Sequence, residues 1–377
     1  MSVIKKRFCL TPVIAAAFMA VAVLITASCS DSVDNDAMWK RIERAVETTM
    51  AESGIPGALV GVWSPLKGDR IIMKGKADIS TGRDMAQGDR VRIASITKTF
   101  VVTIILELAD KGDLHLEQTI DRWFSETEIP GAQVITVREL CDMTSGIFNY
   151  SDDETFRKIY TEDPNKVWAP HELVKLAVAH PSYFTPGTGW HYSNTNTIII
   201  GMIIEKITGK TVEEEIKERI IDRLNLTNTY YPQGTNIEGM HSRGYVAGEA
   251  EGEVIDVTEM FNPSGMGASG ALISNLEDLK TWMIACAEGR LLSASMQEER
   301  TLYAAGDYEY AGERIHYGLG IMCAQGFLGH PGDGIGNTNA AFHSPENGTT
   351  VVILLNKAPN PQDVTALTLF MDIAQIM

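Results

Sequence analysis

The sequence has few basic residues and few cysteines for its length. Its 377 residues hold 32 lysine and arginine side chains against 49 acidic ones, a formal net charge of −17. A chain this acidic has no electrostatic reason to bind a phosphate backbone, so we expect no nucleic-acid partner. The 5 cysteines are too few for a disulfide scaffold. The hydrophobic fraction of 44% is that of an ordinary globular protein.

Two common hydrolase signatures are also missing. No Gly-x-Ser-x-Gly pentapeptide occurs, which argues against an α/β-hydrolase nucleophile. His171 and Glu172 begin a His-Glu-x-x-His pattern, but Lys175 stands where the second histidine is needed. A zinc peptidase requires both histidines on one helix face, so the sequence predicts no metal site here.

The N-terminus has the pattern of a bacterial export signal. Basic residues at 5–7 precede an uncharged, mostly apolar run over 8–28, and we interpret 1–28 as a signal peptide. The small residues before Cys29 resemble a lipoprotein signal, in which this cysteine is lipidated and anchors the protein to a membrane. The polar residues 29–37 would then form a tether. A plain secretory signal and an uncleaved apolar anchor are the alternatives.

Strand and helix signals divide the rest of the chain into two lobes. Short β-rich runs such as 317–322 cluster near the chain ends, whereas helical periodicity dominates the middle. We therefore predict an α+β fold, an α/β sandwich whose antiparallel sheet is built from both ends and flanked by helices. The predicted sheet domain comprises 38–93 and 268–377, and the inserted, mainly helical domain comprises 94–267.

Ser95 and Lys98 form a Ser-x-x-Lys motif at the start of a long apolar helical pattern. Positions i and i+3 lie on one face of a helix, so the hydroxyl and the amine can meet. A lysine held away from water has a lowered pKa and can help to take the serine proton. The helix N-terminus also favours negative charge on the serine oxygen. Further copies at Ser2 and Ser64 make the motif weak on its own.

Tyr192, Ser193 and Asn194 form the one Tyr-x-Asn sequence of the chain. In an extended segment, residues i and i+2 point the same way, so the phenol and the amide would both face a cleft. The phenol can shuttle a proton, and the amide can hydrogen-bond a substrate carbonyl. A helix N-cap at Ser193 or Asn194 is the alternative, and both interpretations can hold together.

His330, Pro331 and Gly332 lie in a glycine-rich segment before the last predicted hairpin. The glycines allow the backbone to approach a ligand closely, and a histidine there can bind a carboxylate or pass a proton. His316 heads a second His-x-Gly sequence, but it opens an ordinary strand pattern. The context therefore favours His330 as the functional histidine.

Together the three motifs resemble those of the serine penicillin-recognising family, which holds D-alanyl-D-alanine carboxypeptidases, class C β-lactamases and related esterases. Their order along the chain is the family's order. Four further segments are similar to segments of the family: 140–147, 184–187, 201–210 and 268–274. The resemblance covers about 40–376 and implies a β-lactamase/transpeptidase-like fold.

The resemblance implies a role for each motif residue. Ser95 would be the nucleophile that forms an acyl-enzyme, and Lys98 and Tyr192 would share the proton transfers. Asn194 would hold a substrate amide, and His330 would contact a terminal carboxylate or support the tyrosine.

The resemblance also implies an oxyanion hole, made by the backbone N–H groups of Ser95 and Asp333 beside Gly332. No metal or organic cofactor is needed. We expect an exported cell-envelope enzyme, anchored through Cys29, that acts on a small-molecule or peptide substrate as a D-alanyl-D-alanine carboxypeptidase does. A β-lactamase or esterase of the same family is one alternative. A non-catalytic penicillin- or peptidoglycan-binding protein is the other.

Cys141 and Asp142 replace residues that are more usual in their segment of the family, and two site residues also depart from the family pattern. His330 stands where class C β-lactamases have a lysine, and a neutral imidazole binds a carboxylate less well than an ammonium. Asp333 places a negative charge where an anionic substrate would have to bind. Both departures bear on the substrate and leave the acyl-transfer chemistry intact.

Overall fold

The computed structural model describes residues 27–250, 252–302, 308–310, 313–360 and 363–377. The predicted signal peptide lies almost wholly outside the described residues. The side chain of Cys29, the predicted lipidation site, also lies outside them.

The strands and helices of the described residues are numbered here in chain order. The strands are β1 (Gly57–Ser64), β2 (Gly68–Asp78), β3 (Arg83–Asp84), β4 (Val91–Arg92), β5 (Tyr245–Ala247), β6 (Val254–Asp256), β7 (Ile273–Ser274), β8 (Tyr308–Tyr310), β9 (Glu313–Tyr317), β10 (Met322–Ala324), β11 (Phe327–Gly334), β12 (Asn337–His343) and β13 (Thr350–Leu355). The helices are α1 (Ala27–Ser53), α2 (Thr97–Asp110), α3 (Val137–Cys141), α4 (Glu154–Glu162), α5 (Pro170–Val178), α6 (Asn194–Thr208), α7 (Val212–Ile216), α8 (Asp222–Leu224), α9 (Leu276–Ala287), α10 (Ala294–Arg300) and α11 (Ala366–Ile376).

One antiparallel sheet of nine strands organises the described residues, in the order β3-β2-β1-β13-β12-β11-β10-β9-β8. Strand β1 pairs with both β2 and β13, so the first and last strands of the chain are neighbours. Their register places Ala58 opposite Leu355 and Trp63 opposite Thr350. Helices cover both faces of this sheet, and the predicted α+β class is confirmed.

Burial of both sheet faces explains why the central strands are almost continuously apolar. In β13, Val351 and Ile353 pack with α1 and α11, whereas Val352 and Leu354 pack with α2 and α9. Successive side chains of a strand point to opposite faces, so each face receives alternate residues. Helix α9 therefore lies against one face of the sheet, and α11 lies against the other.

The mainly helical segment between β4 and β7 begins and ends at one place. Val91 pairs with Ser274 and Arg92 with Ile273, which ties the two borders of this segment together. Helices α3 to α8 and the short β5–β6 hairpin lie between these borders. The segment therefore leaves and rejoins the sheet domain next to the start of α2.

Two stretches differ from the sequence-based expectation. The polar stretch 29–37, predicted as a tether, lies inside helix α1. The prediction used polarity, but 27–53 contains no glycine or proline to interrupt a helix. The run 317–322, predicted as one strand, is divided by a turn at 318–321 between β9 and β10, in which the N–H of Gly318 donates to the carbonyl of Ile321 at 2.8 Å. Among the described residues, no helix combines the length and apolarity needed to cross a bilayer.

Gly320 and Gly326 provide a matched test of how closely this turn packs on α2. Both have positive φ, +63° and +80°. A Cβ on Gly320 would lie 2.4 Å from the Cβ of Val102 in α2, whereas a Cβ on Gly326 would meet nothing within 4 Å. We expect Gly326→Ala to lower the free energy of unfolding by about 1–2 kcal/mol through backbone strain alone.

Gly320→Ala adds overpacking against α2, which typically costs a further ~1–3 kcal/mol. Urea unfolding of both variants measures the difference. Equal losses in the two variants would contradict the close packing of this turn on α2.

Candidate active site

Ser95 lies at the junction between the sheet and the helical segment. A 3-10 turn over Ala94–Ile96 leads directly into α2, and the Ser95 side chain is partly exposed between buried neighbours. Ala94 has a φ of +45°, a left-handed conformation that costs an L-residue free energy. The backbone strain is thus located at the residue just before the predicted nucleophile.

Strand β11 passes against this corner. A Cβ on Gly332 would lie 2.2 Å from the carbonyl oxygen of Ile93, and one on Gly334 would lie 2.8 Å from the Cβ of Ala94. Neither position leaves room for a side chain, so the two glycines allow the strand to run beside the start of α2. Asp333 lies between them, so its backbone also runs close to the start of α2.

The Lys98 amine is fully buried and has three polar partners. Its Nζ lies 2.9 Å from Ser95 Oγ, 2.7 Å from Asn194 Oδ1 and 2.8 Å from the carbonyl oxygen of Ser269. Burial lowers the pKa of Lys98 well below its ordinary value. A neutral amine has two N–H groups and one lone pair. Because the two carbonyl oxygens can only accept, the lone pair is left for the O–H of Ser95.

Asn194 orients this amine. Its Oδ1 accepts from Lys98, its Nδ2 donates to Ser151 Oγ at 3.1 Å, and its backbone N–H donates to Asn149 Oδ1 at 3.0 Å. Asn194 is the first residue of α6, and Ser193 takes the N-cap position in an extended conformation. The predicted contact with a substrate amide would therefore have to use the second Nδ2 hydrogen.

The Tyr192 phenol is buried beside Lys98, whose amine lies 4.9 Å from the ring centroid. The phenol oxygen makes no hydrogen bond of good geometry with any described residue. Burial raises the pKa of Tyr192, the nearby Ser95 hydroxyl opposes part of this shift, and the Asp333 charge adds to it. The phenol is therefore protonated at neutral pH, and its O–H is free for a reacting group.

His330 is buried within β11, and both of its ring nitrogens are in use. Nδ1 lies 2.5 Å from the carbonyl oxygen of Pro331, and Nε2 lies 3.1 Å from the Tyr317 hydroxyl. Since a carbonyl only accepts, Nδ1 carries the proton and Nε2 accepts from the tyrosine. Burial, with the Lys98 charge as second cause, lowers the pKa of His330 to about 3. In this arrangement the neutral ring has no further N–H for a carboxylate or for Tyr192.

Asp333 places a carboxylate at the exposed edge of the site. Its side chain is solvent-exposed, and its Oδ1 accepts a 2.5 Å hydrogen bond from Thr338 Oγ1. Surrounding protein atoms still limit its hydration enough to raise the pKa of Asp333, and the Thr338 hydroxyl opposes that shift. Water reaches this carboxylate, so it remains accessible to a charged ligand.

Ser269 and Tyr317 are the site residues that the sequence motifs did not identify. Ser269 contributes a backbone oxygen, which leaves no side-chain signal. Tyr317 belongs to the second His-x-Gly sequence, interpreted above as an ordinary strand. Its ring packs edge-on against His330 and Tyr192, with centroid separations of 5.7 and 6.2 Å. Tyr317, from the His-x-Gly sequence that begins at His316, is therefore the hydrogen-bond partner that orients His330.

Solved structures with this fold include several amide hydrolases. A D-stereospecific amidohydrolase from Streptomyces sp. is 32% identical with a TM-score of 0.76, covering 86% of this chain and 96% of that one. The D-amino acid amidase from Ochrobactrum anthropi, in complex with D-phenylalanine, is 24% identical with a TM-score of 0.77, covering 90% and 98%. At 24% identity, the similarity to the Ochrobactrum anthropi amidase shows a shared fold and nothing more.

Curated relatives include penicillin-binding proteins. Penicillin-binding protein 4* from Bacillus subtilis is 25% identical over 305 residues, which cover 75% of this chain and 64% of that protein. Protein flp from Staphylococcus aureus is 24% identical over 250 residues, which cover 65% and 48%. The chain spans less than two thirds of either protein.

A sequence model of the family described as Beta-lactamase matches residues 42–375, which include every residue of the site described above. Together with the similarity to the Streptomyces amidohydrolase, this match shows that the chain belongs to the beta-lactamase family and has the fold of its serine hydrolases and penicillin-binding proteins.

Proposed function

We propose that this protein hydrolyses amide bonds through an acyl-enzyme on Ser95. The observation that carries the proposal is the buried Lys98 amine, which lies 2.9 Å from Ser95 Oγ. A general base must be within hydrogen-bond reach of the proton that it removes and must be neutral at the working pH. Lys98 meets the first condition by geometry and the second because burial lowers its pKa.

In the proposed acylation, the Ser95 proton passes to the Lys98 lone pair while Oγ attacks the substrate carbonyl carbon. Backbone N–H groups of Ser95 and Asp333 donate to the oxyanion, where each such donor contributes about 10²–10³-fold to turnover. The Tyr192 phenol protonates the leaving nitrogen as the C–N bond breaks, and the Lys98 ammonium returns a proton to the phenolate. Water then attacks the ester, and the same groups act in reverse to release the acid.

The geometry favours amide substrates that lack a terminal carboxylate. A D-alanyl-D-alanine carboxypeptidase must bind the carboxylate of its substrate, and the His330 ring has no N–H left for that contact. The similarity to an amidohydrolase at 32% identity supports amide hydrolysis as the reaction. Carboxypeptidase-like activity is the second candidate, which the similarity to a penicillin-binding protein favours.

We also propose that the enzyme is exported and held at a membrane by a lipid on Cys29. The support is the sequence alone: basic residues at 5–7, an uncharged run over 8–28 and small residues before the cysteine. Two anchoring signals are usually needed for stable attachment of a singly acylated protein, and a bacterial lipoprotein carries more than one acyl chain.

Ser95→Ala should abolish covalent labelling, because the acyl group is carried on Oγ. In the wild type, a labelled penicillin or an activated D-amino-acid ester should add one acyl mass to the peptide that contains Ser95. Hydrolysis by the variant should fall by about 10⁴-fold or more. Intact-mass and peptide mass spectrometry measure the adduct.

Ser64→Ala is the matched control, since Ser64, the last residue of β1, begins another Ser-x-x-Lys sequence. It should label as the wild type does. Unchanged hydrolysis in Ser95→Ala would overturn the mechanism. A stable adduct without turnover would instead identify a non-catalytic penicillin-binding protein.

Lys98→Met should lower kcat/KM by about 10²–10⁴-fold, because it removes the general base. The wild-type rate should fall as the pH drops through the lowered pKa of Lys98, since the protonated amine has no lone pair. The pH dependence of kcat/KM checks this, with Lys67→Met in the exposed β1–β2 turn as the control.

The lowered pKa of Lys98 also has a consequence for stability. Between the lowered value and the ordinary value of 10.5, the unfolded chain binds more protons than the folded one. Stability from this group must therefore rise with pH across that window, by at most about 1.4 kcal/mol per pH unit. Urea unfolding at several pH values should show a shallower slope for Lys98→Met than for the wild type. Equal slopes would contradict a neutral Lys98.

Cys29→Ser should move the protein from the membrane fraction to the soluble fraction and abolish incorporation of labelled palmitate, because the acylated thiol is gone. Cys9→Ser is the control, since this cysteine lies within the predicted signal peptide. Labelling that persists in Cys29→Ser would contradict the lipoprotein assignment.

A further inference from the structure

The basic side chains near Ser95 already make hydrogen bonds within the protein. Lys98 is buried with three partners, and His330 is neutral with both nitrogens in use. Arg92 donates through Nη2 to the carbonyl oxygens of Thr235 and Thr258 at 2.5 and 3.2 Å. A substrate carboxylate would therefore have to compete with internal hydrogen bonds for each of these groups.

The negatively charged group near Ser95 is the Asp333 carboxylate, and it is only partly engaged within the protein. The Asp333 side chain is solvent-exposed, and only its Oδ1 has a hydrogen-bond partner among the described residues, the Thr338 hydroxyl. The Asp333 charge also contributes to the raised pKa of Tyr192, after burial as the main cause. The electrostatic complement of such a site is a cation on the substrate.

An apolar recess opens beside the nucleophile. Ala94 and Gly334, which flank Ser95 and Asp333 in sequence, both line it. The space in it that a water-sized sphere can occupy is about 40 Å³, and it opens to solvent. The Arg92 side chain also lines the recess. Most of the remaining wall is contributed by apolar or aromatic side chains: Tyr160, Val257, Phe261, Pro263, Met266 and Ile335. Such a wall fits an apolar side chain, because burying it there removes apolar surface from water.

We propose that the site takes amides of amino acids whose α-amino group is free and protonated, with the Asp333 carboxylate binding the ammonium and the recess binding an apolar side chain. The inference rests on the proposed amide hydrolysis at Ser95. Asp333 then serves twice, through its backbone N–H at the oxyanion and through its side chain at the ammonium. The arrangement explains why a carboxylate occurs at a position that would repel a carboxylate-terminated substrate.

Three compounds with the same apolar group test this: phenylalanine p-nitroanilide, its N-acetyl derivative and 3-phenylpropionyl p-nitroanilide, the first two in D and L forms. The wild type should prefer the free amine over both neutral analogues by about 10–100-fold in kcat/KM, mostly through KM, as hydrogen bonds to charged groups imply. Asp333→Asn keeps an acceptor for Thr338 and should reduce this preference by the same factor.

Asp69→Asn, at an exposed position of β2, is the control and should keep the wild-type preference. Asp333→Glu should restore part of the preference, which a purely structural role of Asp333 would not explain. Thermal unfolding of each variant checks that the fold is retained.

Two results would overturn the inference while leaving the proposed reaction intact. One is equal kcat/KM for free and acetylated amides in a wild type that still labels at Ser95. The other is faster release of D-alanine from N-acetyl-D-alanyl-D-alanine than of p-nitroaniline from the free-amine compound. Loss of labelling and of all hydrolysis would instead count against the acyl-enzyme itself.

Discussion

Removing a lysine amine from water is costly, and this fold offsets the cost for Lys98 with neutral partners: a hydroxyl, a side-chain amide oxygen and a backbone carbonyl. A carboxylate partner would keep the amine charged and raise its pKa. Neutral acceptors do not keep the amine charged, so burial alone determines the lowered pKa of Lys98. The neutral amine then has a lone pair beside Ser95. The three partners come from the start of α2, the start of α6 and the turn before β7, and the chemistry therefore depends on holding these elements in register.

Backbone contact, more than side-chain packing, provides that register. The pairing of β4 with β7 joins the borders of the helical segment. On the other side, Gly332 and Gly334 bring β11 against Ile93 and Ala94, and Ala94 accepts a left-handed φ at the contact. Because β11 comes from the C-terminal part of the chain and α2 from the N-terminal part, the proposed oxyanion hole would require the sheet from both ends to be complete.

Local spacing made part of this site predictable from the sequence. Ser95 and Lys98 are three residues apart on one helix, and the Tyr-x-Asn sequence precedes a visible helix, so their meeting follows from short-range rules. The α+β class followed from strand signals at both ends. The carbonyl of Ser269 and the Tyr317–His330 bond depend on long-range packing that no spacing encodes. The turn at Gly320 could not be predicted from the sequence either, because the surrounding residues are apolar enough to resemble one strand.

The same burial that makes Lys98 a base also removes the positive charge from the neighbouring histidine. Tyr317 occupies Nε2 and the Pro331 carbonyl occupies Nδ1, so His330 cannot gain a proton without losing a hydrogen bond in a dry environment. Lys98 and His330 are thus both neutral and Arg92 donates to backbone carbonyls, while Asp333 keeps its access to water. Under the proposed function, the accessible charge that a substrate meets is the Asp333 carboxylate, and a positive charge carried by the substrate itself is the favourable way to balance it.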